Sequence, residues 1–248
     1  MKRLYALLVV AFMAITPSLS AQSASFYNAT RDAEKMIKQM PTNNYYRAYV
    51  GYNSAHVNWK DYGPLGEIMF PIKNGFTLGY LESRHVLKGL PLFVEYGANI
   101  QYLSGKEDLM NISVIGHNYK ASIFSLNIPV NAAFRLSFEN DTIAVTPFAG
   151  LNFRYNLAGN RTDEYENPLS GKVETKTTKL FDKSTNENGA FNRFQMGVNF
   201  GVAVTYKVYT LSVSRVADIF KLANINNANY FVDKGRLGVT TISFGYAF

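Results

Sequence analysis

Large apolar residues alternate with small or polar residues along eight long segments of this chain. In the third segment Val94, Tyr96 and Ala98 share one face, and Glu95 and Gly97 lie on the other. A period of two is the signature of a β-strand with two different faces. The eight segments are residues 44–55, 74–85, 91–104, 119–138, 143–157, 193–206, 208–217 and 235–248. The sequence therefore predicts an all-β fold.

Two residues disturb this pattern. Pro129 lies inside the fourth segment and cannot donate to a β-ladder, so a local irregularity is expected there. Arg215 falls on the apolar face of the seventh segment unless a bulge or the rim of the fold intervenes.

Alternation alone does not show which face of the strands contacts water. The apolar faces meet in a core in a soluble barrel or sandwich, but they meet lipid in a transmembrane barrel. Most segments have ten residues or more, and a strand tilted through a bilayer needs about 9–11. We predict a closed antiparallel transmembrane β-barrel of eight strands. A soluble secreted β protein is the competing interpretation, and a hairpin inside residues 158–192 is an open alternative for the strand number.

The connections and the aromatic residues favour the transmembrane barrel. Short connections (86–91, 139–142 and 207–208) alternate with long ones (56–73, 105–118, 158–192 and 218–234), as periplasmic turns alternate with extracellular loops in such barrels. Aromatic girdles are expected at both interfaces. The candidates are Tyr46, Phe138, Tyr206, Tyr209, Tyr246 and Phe248 at one edge, and Tyr52, Tyr102, Tyr155 and Phe194 at the other.

The first residues have the layout of a secretory signal peptide. Lys2 and Arg3 precede an apolar run over residues 4–15, which breaks at Pro17 before small residues. We predict a signal peptide over residues 1–21, a periplasmic lead-in over 22–43 and the barrel domain over 44–248. The expected location is the outer membrane. The net charge is +7, but without a basic cluster or an aromatic RNA-binding motif it predicts no nucleic-acid partner.

Three stretches resemble a known family. SLNIPVNAAFRLSF (125–138), VTPFAGLNFRYNL (145–157) and the terminal TTISFGYAF are similar to small outer-membrane β-barrel proteins of the Bacteroidetes, often labelled porin-like. The resemblance implies that the last strand is read by the barrel-assembly machinery. Thr241, Tyr246 and Phe248 match that signal, whereas Ser243 stands where glycine is usual. The implied partners are this machinery, periplasmic chaperones, outer-membrane lipids and an unknown extracellular partner.

The sequence presents no recognisable catalytic motif. His56 and His117 fall near the long-loop rim, where a metal or general-base role competes with that of solvated loop histidines. A Ser/His pair, a phosphate loop and zinc spacing are all missing from the sequence, so we predict neither an enzyme nor a cofactor. Asp141, Thr142 and Ile143 fit a short O-glycosylation pattern of Bacteroidetes exported proteins.

Four charged residues fall on the polar, inward faces of the segments: Arg47, Glu95, Arg135 and Arg154. They are candidates for one interior charge network in the lumen, with a structural role favoured over transport because buried polar groups need partners. Side chains largely fill the interior of an eight-stranded barrel. The predicted function is therefore a structural or surface-interaction barrel. The alternative is a narrow channel or small-solute transporter, and an enzyme acting on envelope lipids ranks third.

Overall fold

A computed structural model describes residues 43–59, 70–87, 90–108, 117–138, 141–167, 170–182, 191–227 and 230–248. The side chains of residues 108, 117 and 223–234 are outside this description. The predicted signal peptide, and all of the lead-in except residue 43, also lie outside it. In the part of the chain that is described, no helix is long and apolar enough to cross a membrane.

The described residues form a single antiparallel β-sheet that closes on itself. The strands are β1 (Tyr45–Trp59), β2 (Asn74–His85), β3 (Leu92–Asp108), β4 (His117–Phe134), β5 (Leu136–Phe138), β6 (Ile143–Glu166), β7 (Val173–Lys179), β8 (Phe194–Tyr206), β9 (Tyr209–Asp218), β10 (Ala223–Asn227) and β11 (Tyr230–Ala247). The ring runs β1-β2-β3-β4-β6-β8-β9-β11, and β11 pairs with β1. The predicted closed barrel of eight strands is therefore confirmed.

The other three strands extend the ring without widening it. β5 continues β4 beyond Arg135 and pairs with β6. β7 pairs with the C-terminal end of β6, and β10 pairs with the N-terminal end of β11. The region 158–192 thus does contain an additional hairpin, but this hairpin stands above the ring and adds no strand to the barrel wall.

The register of the ring sets the tilt of the strands. When the paired residues are followed around the ring from Tyr46, the path returns to β1 at His56, ten residues further along. The path runs through Glu82, Tyr96, Val130, Leu151, Val198, Ala217 and Gly238. A stagger of this size requires strands tilted by roughly 40° to the barrel axis.

The irregularity predicted at Pro129 is confirmed. The pairing of β3 with β4 lapses between Tyr96↔Val130 and Asn99↔Asn127, although the register is the same on both sides of the gap. A proline has no N–H to donate, so the ladder cannot continue through this position. On its other edge β4 pairs with β6 through Pro129, and the only register shift there lies between Phe124 and Ser125.

The polarity of the barrel wall is inverted relative to a soluble protein. Outward apolar side chains are widely exposed, for example Phe76 at 68% and Phe244 at 54%, whereas the inward Asn53 and Gln195 are 0% exposed. We call this exposed band the apolar belt. It comprises, apart from Arg215, the outward side chains of residues 46–52, 76–80, 94–102, 124–134, 143–157, 194–206, 209–219 and 242–248. An apolar surface this large around a closed sheet is suited to lipid, and the barrel is transmembrane.

Above the belt, toward the long connections, the polarity changes. On β1 the inward residues become apolar, at Ala55, Val57 and Trp59. The outward residues between and beside them, Ser54, His56 and Asn58, are polar and exposed. We call these strand ends the upper region. They occupy part of the predicted long loops, because β1, β3, β4 and β6 all run further than the alternation indicated.

Candidate functional site: the lumen

Arg154 is at the centre of the lumen, on β6. Its Nη1 donates to Oδ2 of Asp218 at 2.6 Å and to Oε1 of Gln195 at 3.2 Å, and its Nε donates to Oδ1 of Asn127 at 3.0 Å. The side chains of Arg154 and Asp218 are 1% and 0% exposed. The ion pair is therefore desolvated on both sides, and its energy depends on these hydrogen bonds.

Amide side chains extend this network across the barrel. Asn127 donates from Nδ2 to Oδ1 of Asn99 at 2.9 Å, and Thr77 donates to the same oxygen at 3.2 Å. Asn152 donates to Oδ1 of Asn127 at 3.2 Å. The connected groups thus run from β2 through β3, β4 and β6 to the end of β9, so the interior is bridged by protein.

Nearer the short turns, Glu95 gathers three donors. Its carboxylate lies 3.8 Å from Nη2 of Arg47, and it accepts hydrogen bonds from the hydroxyls of Tyr45 at 2.9 Å and Ser83 at 3.0 Å. Glu95 and Ser83 are 0% exposed. These partners favour a structural role for the ion pair, and Oε2 of Glu95 accepts no hydrogen bond from the described residues.

Arg135 belongs to a third group, at the β5–β6 turn. Its Nη2 pairs with Oδ1 of Asp141 at 3.0 Å, and its guanidinium lies 4.7 Å from the centre of the Tyr45 ring. Ser137 donates to the same Asp141 oxygen at 2.7 Å. Thr142 is half-buried in this turn, and its carbonyl accepts from the N–H of Lys207. Glycosylation of Thr142 stays a prediction.

The four predicted lumen charges are thus all inside the barrel, but they belong to three ion pairs rather than to one network, and Tyr45 contacts both Glu95 and Arg135. Arg154 pairs with Asp218, Arg47 with Glu95, and Arg135 with Asp141. Asp218, the partner of Arg154, was missed because the predicted seventh strand ended at residue 217. Inward residues recur at every second position, at Ser212, Ser214 and Val216, and Asp218 is the next residue in this series.

Between these groups lies a small cavity of about 60 Å³. Its walls include Arg47, Arg154 and several asparagine side chains, together with Ser212 and Ser243. These two serines are hydrogen-bonded to each other at 2.5 Å. A space of this size and polarity suits a few water molecules.

Apolar side chains close the lumen at the short-turn end. Phe93, Ala133, Phe148 and Ala203 are each at most 8% exposed and form one cluster, with Tyr45 packed against it. The rings of Tyr45 and Phe93 meet edge to face at 5.4 Å. We call these five residues the lower cluster.

A larger apolar cluster fills the barrel at the long-loop end. We call it the upper cluster, and it contains Ala55, Val57, Trp59, Phe70, Ile72, Leu103, Ala121, Ile123, Leu180, Phe181, Leu222, Leu237 and Val239, with Phe191 packed against it. Leu180 and Phe181 follow β7, so the chain of the longest connection turns back into the mouth of the barrel. The ring of Phe70 lies 6.1 Å from Trp59 and 5.0 Å from Phe191. The polar lumen is therefore enclosed between two apolar clusters.

The sequence did not indicate the upper cluster. Seven of its members lie in the predicted long connections: Val57, Trp59, Phe70, Ile72, Leu180, Phe181 and Leu222. The available signal was the presence of pairs of large apolar residues inside otherwise polar connections, such as Leu180 with Phe181. Isolated apolar residues in a loop are common, so this signal is weak without the fold.

The histidines do not form a site in the described residues. His56 is exposed on the outward face of β1, in register with Gly238. The backbone of His117 pairs with Tyr165 of β6, and its side chain lies outside the description. Among the described residues, no group of three or more His, Cys, Asp and Glu side chains could hold a metal ion.

The chain terminus closes the ring at the short-turn end. The N–H of Phe248 donates to the carbonyl of Tyr46 and the N–H of Tyr46 donates to the carbonyl of Phe248, both at 2.9 Å. The Phe248 ring stacks at 5.9 Å from Tyr46 and at 6.2 Å from Tyr246. Thr241 faces inward and donates to Oδ1 of Asn53 at 2.8 Å. The role of Thr241, Tyr246 and Phe248 as an assembly signal stays a prediction.

Comparison of sequences identifies no relatives: no family model matches the chain, and no curated protein does. Comparison of structures finds outer-membrane proteins. Ail, the attachment invasion locus protein of Yersinia pestis, is 12% identical over 83% of this chain and 99% of its own, with a TM-score of 0.38. A major outer membrane protein from Thermus thermophilus is 12% identical over 83% of this chain and 100% of its own, with a TM-score of 0.40.

The outer membrane protein OprG from Pseudomonas aeruginosa is also similar. It is 9% identical over 85% of this chain and 98% of its own, with a TM-score of 0.39. At identities and TM-scores this low, none of these proteins indicates what the present chain binds. The closed antiparallel ring and its inverted polarity rest on the chain's own register and burial.

Proposed function

We propose that this protein is an outer-membrane β-barrel with a closed lumen, which acts through the surface of its upper region. The observation that carries the proposal is the enclosure of the polar lumen between the lower and upper clusters. Side chains from the barrel wall bridge the space between them, and the cavity that remains has room for only a few water molecules. A barrel filled in this way serves as a rigid support for what stands above the membrane.

The upper region offers an interaction surface. Beyond the belt, the ends of β3, β4 and β6 continue as a sheet, and β7 adds a further strand to it. On its outward face Lys120 forms an ion pair with Glu164 at 2.5 Å. Arg161 and Asp163 form a second pair at 2.7 Å on the opposite face, which Ala121 shares. The hydrogen bond from Lys120 lowers the pKa of Glu164. An ordered, charged wall of this kind fits an extracellular partner, which stays unidentified.

Conductance measurements test the closed lumen. The protein is reconstituted into a planar bilayer, and we expect no steady conductance because apolar side chains occupy the lumen at both ends. The double variant Leu180→Asn, Phe181→Asn introduces polar side chains into the upper cluster, and any conductance should be easier to detect in it. Val173→Asn, on the exposed strand β7, is the matched control. A steady, large conductance of the unmodified protein would refute the proposal.

The narrow channel is the alternative outcome. It predicts solute uptake into liposomes by the unmodified protein and a change of that uptake in Glu95→Gln, which alters the lumen without opening either cluster. We expect no uptake in either form. We do not propose an enzymatic role.

The same proposal includes the route to the membrane. Residues 1–21 would direct export, and periplasmic chaperones and the barrel-assembly machinery would receive the chain, with outer-membrane lipids as its final surroundings. The pairing of Phe248 with Tyr46 supports a terminal strand that must be complete before the ring can close. The relationship to barrels of the Bacteroidetes type stays a prediction from the three sequence stretches.

A further inference from the structure

Arg215 is a charged residue within the apolar belt. On β9 it shares the outward face with Val213 on one side and with Ala217 and Ile219 on the other, and it is exposed. The pairing of β9 with both neighbours is continuous through this position, so no bulge turns the side chain inward. Of the explanations open to the sequence, the structure therefore removes the bulge and leaves the rim: Arg215 faces outward at the upper margin of the belt, in register with Thr240.

Within the described residues, Arg215 has no ion-pair partner. No described carboxylate forms an ion pair with Arg215, nor with Arg236, which is exposed on the outward face of β11. A charged side chain on the lipid face of a barrel is destabilising in proportion to its depth, so such a residue is expected to have a function. An anion supplied from outside the chain would offset this cost.

The side chain of Arg215 extends toward a recess in the neighbouring strand. Its Nη2 lies 3.8 Å from the position that a Cβ on Gly238 would occupy, and no atom lies closer than 3.7 Å to that position. Gly238 leaves this space open because it has no side chain. Arg236 lies two residues from Gly238, on the same face and further toward the long connections.

The belt is interrupted around this recess. Thr240 is in register with Arg215 on one side and with Ser54 of β1 on the other. On the opposite edge of β9, Arg215 is in register with Phe200, which is fully part of the belt. We call the residues Ser54, Arg215, Arg236, Gly238 and Thr240 the notch. The notch is thus a polar, cationic indentation at the upper margin of the belt, with apolar wall beside it.

We propose that the notch binds a phosphate group of a phosphorylated glycolipid, of the lipid A type, in the surrounding leaflet. The planar guanidinium of Arg215 matches a phosphate in fork geometry, and Arg236 supplies a second cation above it. The acyl chains of the same molecule lie along Phe200, Ile242 and Phe244 of the belt. Lipid rather than a soluble anion is the occupant because Arg215 reaches the recess from within the apolar surface. The source of the lipid rests on the outer-membrane location proposed above.

The test compares bound lipid in two variants. The folded protein is placed in phosphatidylcholine nanodiscs that contain lipid A with its phosphates or a dephosphorylated form, and retained lipid is counted by native mass spectrometry. We expect retention of the phosphorylated form, weakened at least about tenfold by Arg215→Gln. Gly238→Leu fills the recess without changing charge, and it should weaken retention as well. Heat-modifiable gel mobility verifies that each variant is folded.

Arg84→Gln is the matched control, because Arg84 is also an outward arginine but lies at the short-turn end, paired with Glu82 at 2.5 Å. This variant should retain lipid A as the unmodified protein does. Equal retention of phosphorylated and dephosphorylated lipid, or an undiminished retention in Arg215→Gln, would overturn the proposal. Displacement of the lipid by millimolar inorganic phosphate alone would assign the site to a free anion and overturn it as well. None of these results depends on conductance, so the site and the closed lumen fail separately.

Discussion

The belt region and the upper region are built from the same strands with opposite polarity. On β11, Ile242 and Phe244 face outward and are 53% and 54% exposed, whereas Leu237 and Val239 face inward and are each 1% exposed. The alternation of apolar and polar residues shifts by one position between Ile242 and Val239. This shift marks where the strand leaves lipid and enters water, since each medium selects the outward residues.

The two regions also differ in what holds their interiors together. The belt region encloses charged and amide side chains, which hydrogen bonds and ion pairs such as those of Arg154 hold together. The upper region encloses apolar side chains, which gain from removal from water. The comparison therefore predicts that similar substitutions have different costs in the two regions.

The largest effect is expected for the central ion pair of the belt region. Asp218→Ala leaves the buried guanidinium of Arg154 without its countercharge, and we expect a loss of about 3–5 kcal/mol in the free energy of unfolding. Denaturant titration in detergent or lipid measures this loss. The double variant Arg154→Met, Asp218→Ala should be less destabilised than Asp218→Ala alone. A double variant that is as unstable as the sum of both single variants would contradict the coupling.

The next effect distinguishes the two regions along one strand. Leu237→Ala opens a cavity in the upper cluster and should lower the free energy of unfolding by about 2–5 kcal/mol. Ile242 on the same strand faces outward, where lipid fills the space that a smaller side chain leaves. Ile242→Ala should therefore lower the free energy of unfolding by a clearly smaller amount. Unfolding in a bilayer provides both values. Equal costs would mean that the upper cluster is not a packed core.

The terminal residue should affect assembly more than stability. Deleting Phe248 removes two backbone hydrogen bonds and the ring stacked against Tyr46, so we expect a several-fold decrease in folded protein in the membrane fraction. Phe248→Tyr keeps both hydrogen bonds and the stacking, and it should assemble normally. Folded protein is quantified by heat-modifiable gel mobility. Normal amounts after the deletion would contradict the role of the terminus in closure.

The smallest effect is expected for the exposed charge pairs of the upper region. Glu164→Gln removes the partner of Lys120, but solvent screens this pair, so the unfolding midpoint should hardly change. Because the pKa of Glu164 is lowered in the folded state, any contribution is present above the ordinary carboxylate pKa and is lost as the pH falls. A pronounced midpoint shift at neutral pH would indicate that the wall depends on this pair.

The strands could be predicted because their signal is local. Segments such as 74–85 and 193–206 agree with β2 and β8 within one residue, since their alternation continues to the turn. The girdle residues were also correctly grouped, as the stack of Phe248, Tyr46 and Tyr246 illustrates. The lengths of β3, β4 and β6 were underestimated, because the shift in polarity at the upper region resembles the end of a strand.

The candidate site was less predictable, because its partners are distant in sequence. Arg154 and Asp218 are separated by 64 residues, and Asn127 reaches Arg154 from 27 residues away. Each residue could be placed on the inward face, but nothing local distinguishes which of the inward groups touch. Arg135 was grouped with Glu95 for this reason, although its partner is Asp141 in the adjacent turn.

The sequence by itself determined the number of strands, their alternating faces, the aromatic margins and the presence of an arginine where lipid was expected. These properties depend on a period of two, which each strand carries alone. Only the tertiary structure decided the stagger of ten residues around the ring, the three ion pairs of the lumen, the two apolar closures and the notch beside Gly238. Those features arise when β1 pairs with β11, because ring closure brings together side chains that no local pattern relates.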